Sequence, residues 1–156
     1  MPHSTSFTLI RHGHAAAGLE DKTRPLNAQG VQEAKNCGVI LSKAPPFDLI
    51  ITSSATRAKE TASEILTQFN YKPRIIEIDE IFLPYAPAAF HAIDEAVKTY
   101  HPKNVLIVGH MNIINSIGLL IAPTATELLN VNFNCCEGFE ITATGVIRYI
   151  KADKRT

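Results

Sequence analysis

The sequence predicts a three-layer α/β domain, with a mostly parallel sheet flanked by helices and a C-terminal antiparallel hairpin. Three observations carry that expectation. Strand-like and helix-like segments alternate along the chain. The run Val105-Leu106-Ile107-Val108 has no polar alternation, as in a parallel strand covered on both faces. Near the end, two β-prone segments flank Thr144-Gly145, a hairpin signal. The chain has 156 residues, so one domain spanning 1–156 with a single substantial core is expected.

The elements follow in order. Residues 7–11 are greasy and β-prone, and form the first strand. Asn27 caps a helix running to about Ser42, with Val31, Ala34, Gly38 and Leu41 on one stripe. Pro45-Pro46 stops it, and residues 48–52 give a second strand. Ser53 or Ser54 caps a helix to about Phe69, whose inner stripe is Ala55, Ala58, Ala62, Ile65, Leu66 and Phe69. Residues 74–79 are a third strand, and 87–100 a helix with Phe90, Ile93, Val97 and Tyr100 inward. The fourth strand is 104–109, followed by a greasy helix at 112–121 and a short helical or loop stretch at 124–130. Residues 139–143 and 146–150 are the arms of the hairpin.

Composition excludes several partners. Acidic and basic side chains balance, with formal net charge 0. No global positive field draws nucleic acid or anionic membrane, so neither is an expected partner. Residues 1–6 lack the basic start and apolar core of a signal peptide. The greasy patch from Ile113 to Ala122 is interrupted by Asn115, Ser116 and Gly118, and falls short of the ~20 residues a membrane helix needs. Cys37, Cys135 and Cys136 make no disulfide framework and read as small buried hydrophobes. A reducing cytoplasm is the expected location.

Polar residues gather at the strand ends. In open α/β sheets the ligand crevice lies beyond the carboxyl ends of the strands. The first end gives Arg11-His12, the second Thr52-Ser53-Ser54 with Arg57 soon after, the third Asp79-Glu80 and the fourth Gly109-His110. Arg57 falls in the first turn of its helix, where the dipole disfavours a cation. Two arginines and a helix N-terminus at one rim suit a phosphate, which the guanidinium fork binds bidentately. A neutral imidazole can then be the in-line nucleophile, forming a phosphohistidine intermediate. His12 is placed for that role, with Gly13 letting the backbone turn behind the ring. Its other ring nitrogen needs an acceptor, a backbone carbonyl being the natural one. His110 is placed to donate to the developing charge.

These motifs resemble the histidine phosphatase (phosphoglycerate-mutase-like) superfamily. The segments are "LIRHGHA", "TSSATRAKETA", which places Thr-Ala after the arginine, and "VLIVGH", in that order across most of the chain. The resemblance implies His12 as nucleophile, with Arg11, Arg57 and His110 binding phosphate. "DKTRPLNAQG" and the short stretch after Glu80 are similar to SixA-type phosphohistidine phosphatases. That likeness implies a phosphorylated substrate, a histidine-phosphotransfer protein, and no cofactor. It departs at His14, where relatives often carry an acid.

A general acid is the least defined part. Superfamily members that cleave esters use a glutamate on an insertion after the third strand, whereas "IDEIFLPYAP" is short here. Glu80 or Asp79 is the candidate, and Glu80 reads equally well as a solvated carboxylate. A phosphoramidate leaves as imidazole, a better leaving group than alkoxide, so a missing acid favours phosphohistidine. The rival readings are a small-metabolite phosphomonoesterase or mutase, and an inactive phosphate-binding or scaffold protein. Ser53 is first a helix cap and second a phosphate contact. Arg24 is a turn or rim residue with phosphate contact as its alternative. His14 is an edge residue, and no metal site is expected, since no carboxylate or cysteine completes a His12–His14 pair at familiar spacing. His3, His91 and His101 read as surface or terminal, and Tyr71, Tyr85 and Tyr149 as packing groups.

Overall fold

The computed structural model describes residue 1 and residues 4–152; His3 lies outside the described residues. Six strands form one sheet in the order β3-β2-β4-β1-β5-β6. The four parallel strands are β1 (Ser6–Arg11), β2 (Leu49–Thr52), β3 (Arg74–Glu77) and β4 (Asn104–Gly109). The hairpin strands β5 (Gly138–Thr142) and β6 (Gly145–Ile150) run antiparallel and extend the sheet beyond β1. This is the expected α/β architecture, and its antiparallel C-terminal part is where the sequence placed it.

Successive side chains along a strand point to opposite faces, and both faces here are covered. Leu9 and Ile107 join Ile93, Ile117 and Phe139 in one buried cluster, under α4 (Ala86–Tyr100) and α5 (Ile113–Ile121). Ile10, Ile50 and Leu106 join Ala34, Ala62 and Ile65 in the other, under α1 (Ala28–Leu41) and α2 (Thr56–Leu66). Each such aliphatic side chain contributes about 1.5–3 kcal/mol when fully buried. β4 lies between β2 and β1, so Val105 to Val108 are all buried, as the unbroken apolar run implies.

The boundaries differ from expectation in instructive places. Asn27 does cap α1, its side chain accepting from Gly30 N. Val31 is only half-buried, and Gly30 and Cys37 take part in the inner stripe instead. The cap of α2 is Ala55, with no side-chain cap bond, rather than Ser53 or Ser54. Both serines are diverted, as described below. That helix ends at Leu66, and Phe69 stacks between Phe47 and Tyr71 at 6.1 and 5.1 Å between ring centres. β3 stops at Glu77; Ile78 stays extended, but Asp79 opens a short helix, α3 (Asp79–Phe82), that the sequence reading ran through as strand. Tyr100 is exposed at the end of α4, with the Arg74 guanidinium 4.5 Å above its ring, while Ala89 and Ala96 fill the inner face. Residues 126–130 form a 3-10 helix. No helix among the described residues is long and apolar enough to cross a membrane.

Candidate active site

The site begins where β1 and β4 end side by side. Arg11 pairs with Gly109 in the register, so the residues that follow, His12 and His110, emerge together. Their ring centres are 5.0 Å apart in an edge-on arrangement. His12 Nδ1 sits 2.7 Å from the Gly13 carbonyl. A carbonyl only accepts, so Nδ1 carries the proton and Nε2 is left with its lone pair. Arg57 Nε donates to that same Nε2 at 3.3 Å, consistent with the assignment.

Arg57 is the second residue of α2 and only 6% exposed. Its position in the first turn runs against the helix dipole, and the acceptors it reaches offset that cost. Besides His12, its guanidinium donates to the Asp21 carbonyl at 2.7 Å and to Asp21 Oδ2 at 3.3 Å. Asp21 also accepts from Arg24 Nε and Nη2 at 3.1 and 2.9 Å, which brings Arg24 to the rim through the carboxylate. Arg24 and then Arg57 hold the Asp21 carboxyl below its usual range. The sequence reading missed Asp21. The signal was its spacing three residues before Arg24, the geometry of a local carboxylate–guanidinium pair.

Ser53 is fully buried at the end of β2 and faces His110, with its Oγ 2.7 Å from Nε2. Ser53 Oγ also accepts from Ala55 N at 3.1 Å. The Ser53 hydroxyl keeps both its proton and a second lone pair for His110 Nε2, so the contact orients the ring in either tautomer. Ser53 is therefore not the N-cap of α2 but touches the backbone just ahead of it. Ser54 donates its hydroxyl to Asp79 instead.

Both imidazoles are held neutral. Burial, and then the charges of Arg57, Arg11 and Arg24, lower the His12 pKa to about 4 against an upward pull from the Gly13 carbonyl. Burial, His12 and Arg57 lower that of His110 to about 3, opposed by Asp21. Thr61 ties the loop after β1 to α2: its Oγ1 accepts from Gly13 N at 3.0 Å and donates to the Arg57 carbonyl at 2.7 Å. Gly13 does not need a positive φ. Its Cα packs on the backbone of α1, where a Cβ would meet the Gly30 carbonyl oxygen at 2.8 Å.

Arg11 donates to the Phe133 carbonyl at 2.7 Å, and its Nε is buried without a partner among the described residues. Asp79 is exposed, and Ser54 and Lys22 hold its carboxyl below the usual range, opposite to what a general acid requires. Glu80 is half-buried on α3 and makes no hydrogen bond or ion pair with a described residue. Phe82 of the same helix packs edge-on against His110, 5.9 Å between ring centres. His14 turns to Glu33, its Nδ1 at 2.7 Å from Oε2. Tyr71 accepts from Phe47 N and packs as expected, whereas Tyr85 is exposed.

A six-stranded sheet whose adjacent central strands end in two facing neutral histidines and a buried arginine defines a phosphoglycerate-mutase-like α/β protein. The model of the histidine phosphatase superfamily (branch 1) matches residues 7–81, the stretch holding Arg11, His12, Ser53 and Arg57. Over that stretch, just under half of its length, the chain is similar to that superfamily. It is 35% identical to the uncharacterized phosphatase PhoE of Bacillus subtilis over 107 residues, 65% of this chain and 53% of that protein. It is 25% identical to the adenosylcobalamin/alpha-ribazole phosphatase of Escherichia coli over 158 residues, 73% of this chain and 76% of that one. The chain thus spans about half the length of the first relative and three quarters of the second. Its fold matches that of the protein histidine phosphatase SixA complexed with tungstate, with a TM-score of 0.82, 16% identity, and 94% and 97% of the two chains covered.

Proposed function

We propose that this protein is a cofactor-independent phosphatase that works through a phosphohistidine on His12 and removes phosphate from histidine of a phosphotransfer protein. The observation that carries the reading is the His12 ring itself: neutral, with Nδ1–H on the Gly13 carbonyl and the Nε2 lone pair turned toward Arg57. Nε2 attacks the phosphorus as the substrate P–N bond breaks. The leaving imidazole keeps the electron pair and takes a proton from solvent. Water then attacks phospho-His12, releasing inorganic phosphate and the free imidazole. Arg57 and Arg11 neutralise the equatorial oxygens, and His110, oriented by Ser53, donates a ring N–H to the developing charge. The unpartnered Nε–H of Arg11 is a donor that lacks an acceptor, as an anion-binding residue would. Arg24 acts through Asp21, and Ser53 through His110.

The substrate class rests on the acid. Asp79 is committed to Ser54 and Lys22, and Glu80 has no hydrogen-bond or ion-pair partner among the described residues to orient it. A phosphoramidate does not need a protonated carboxyl to leave, whereas an alkoxide does. The likeness to alpha-ribazole phosphatase supports a second reading, a phosphomonoesterase or mutase on small metabolites. Turnover on a phosphohistidine protein, compared with 3-phosphoglycerate and sugar phosphates, separates the two. Higher kcat/KM on the phosphoramidate supports the first reading, and higher kcat/KM on the esters overturns it. No turnover of either class would leave an inactive phosphate-binding protein.

A further inference from the structure

We infer that His14, Glu33 and Cys135 form a binding site for a zinc-class divalent cation, in a cleft beside the phosphoryl site. One ligand atom from each lies within 4.8 Å of the others, the one such grouping of His, Cys, Asp and Glu among the described residues. They come from three segments: the loop after β1, the second turn of α1 and the turn before β5. That separation is why no linear spacing announces them. They line a cleft of about 390 Å³ whose mouth carries Gln29, Asn36 and Asn134, which gives a cation a polar way in.

The donor set decides the ion. One imidazole nitrogen, one carboxylate oxygen and one thiolate sulfur suit a borderline-soft cation such as Zn²⁺. Magnesium and calcium want oxygen ligands throughout. Three protein ligands leave a fourth position for water, and the 47% exposure of the His14 side chain keeps the grouping open to solvent.

The ligands are already held. His14 N donates to Glu33 Oε1 at 2.9 Å, and the His14 carbonyl accepts from Asn27 N at 3.0 Å. A Cβ at Gly30 would lie 2.1 Å from the His14 carbonyl oxygen, so loop and helix backbones are in direct contact. On the other wall, Cys136 N donates to the Arg11 carbonyl at 2.8 Å, with Cys136 at φ 60°, which fixes the turn carrying Cys135 against β1. A tetrahedral ion with bonds near 2.0 Å holds its nitrogen and oxygen ligands roughly 3.3 Å apart. The 2.7 Å contact of His14 Nδ1 with Glu33 therefore opens by about half an ångström on binding.

Charge also closes. The Glu33 carboxylate and the Cys135 thiolate offset the two charges of the ion. Arg11 lines the same cleft, and so does the carboxylate of Glu137, which accepts from Asn134 N and Ala152 N at 3.3 and 2.8 Å. Binding replaces the Cys135 S–H bond by a metal–sulfur bond and releases one proton to solvent. Occupancy would clamp the segment two residues after His12 to α1 and to the turn before β5.

The test uses the full chain freed of metal, titrated with Zn²⁺ against a chromophoric chelator, and with Co²⁺ read by its absorption. The expected result is one equivalent bound, with a thiolate-to-cobalt charge-transfer band. His14→Ala and Cys135→Ser should each weaken binding by more than about 10-fold, the lower bound for losing even an outer-shell partner. The exposed His14 can be truncated without touching the core, so it decides the matter if the cysteine variant does not fold. Binding that survives both substitutions, or that is lost only when His12 and His110 are replaced, overturns the site, as does no binding at all. The readout is metal affinity, so its outcome is independent of whether the protein proves to be a phosphatase.

Discussion

The strands in the middle of the sheet and the strand at its edge end differently. β1 and β4 are flanked on both sides, and the residues leaving them are half-buried, hydrogen-bonded and stripped of charge: His12 and His110 with pKa values near 4 and 3. β3 has one neighbour, an exposed outer face, and an end that turns into the four-residue helix α3 with its carboxylates at or near solvent. Desolvation separates the two. At the centre it holds an imidazole neutral, with a free lone pair; at the edge water screens the carboxylates, and Asp79 is held ionised by its neighbours. A protein built this way is well supplied with a nucleophile and poorly supplied with an acid.

Substitutions can break this contrast. His12→Ala should reduce kcat by roughly 10⁴-fold or more, the scale of losing a covalent nucleophile. Arg57→Ala should follow at about 10³-fold, since a guanidinium on the transferring phosphoryl group carries much of its stabilisation. His110→Ala should cost about 10²–10³-fold, as for loss of one donor to developing charge. Steady-state turnover on a phosphohistidine protein measures all three. If Arg57→Ala were milder than His110→Ala, the clamp would lie with other groups.

Proton behaviour sharpens the contrast. In kcat/KM against pH, the acid limb should fall near pH 4 rather than near 6.5, because the free enzyme keeps His12 neutral until then. The stability consequence has a definite sign. Unfolded histidines take up protons around pH 6.5, while these two do so only near 4 and 3. The unfolded chain thus binds more protons in that window, and stability falls as pH drops through it. Thermal melts across pH 4–7 should flatten in His12→Ala and His110→Ala.

Smaller effects fall on the supporting groups. Ser53→Ala removes the hydroxyl from His110 Nε2 and should reduce turnover about fivefold, the value of one neutral hydrogen bond of about 1 kcal/mol. Glu80→Gln, at the edge, should change kcat/KM on phosphohistidine by less than about twofold, since no hydrogen bond or ion pair with a described residue is lost. A large loss there would put an acid back into the reaction and favour an ester substrate.

The same division governs what the sequence made legible. The central strands, buried on both faces, are unbroken apolar runs, and β4 begins and ends where the sequence places it. Asn27 announces its helix because it caps it. Legibility fails where a side chain serves two elements. Ser53 and Ser54 look like caps, but their hydroxyls go to His110 and Asp79, and Ala55 occupies the cap. Ile78 keeps the extended backbone and donates to the Thr52 carbonyl, so the eye continues the strand into Asp79. His12, His110 and Arg57 were readable because strand ends bring them together. Asp21 and the Glu33–Cys135 partnership of His14 depend on loops and helix faces whose meeting no periodicity records.

The proposed reaction turns on phosphoryl transfer through His12. The direct measurement is to incubate the protein with a radiolabelled phosphohistidine protein, quench in alkali and map the label by peptide. The account predicts base-stable, acid-labile phosphate on the peptide that carries His12. Label on another residue, or undiminished turnover by His12→Ala, would contradict it.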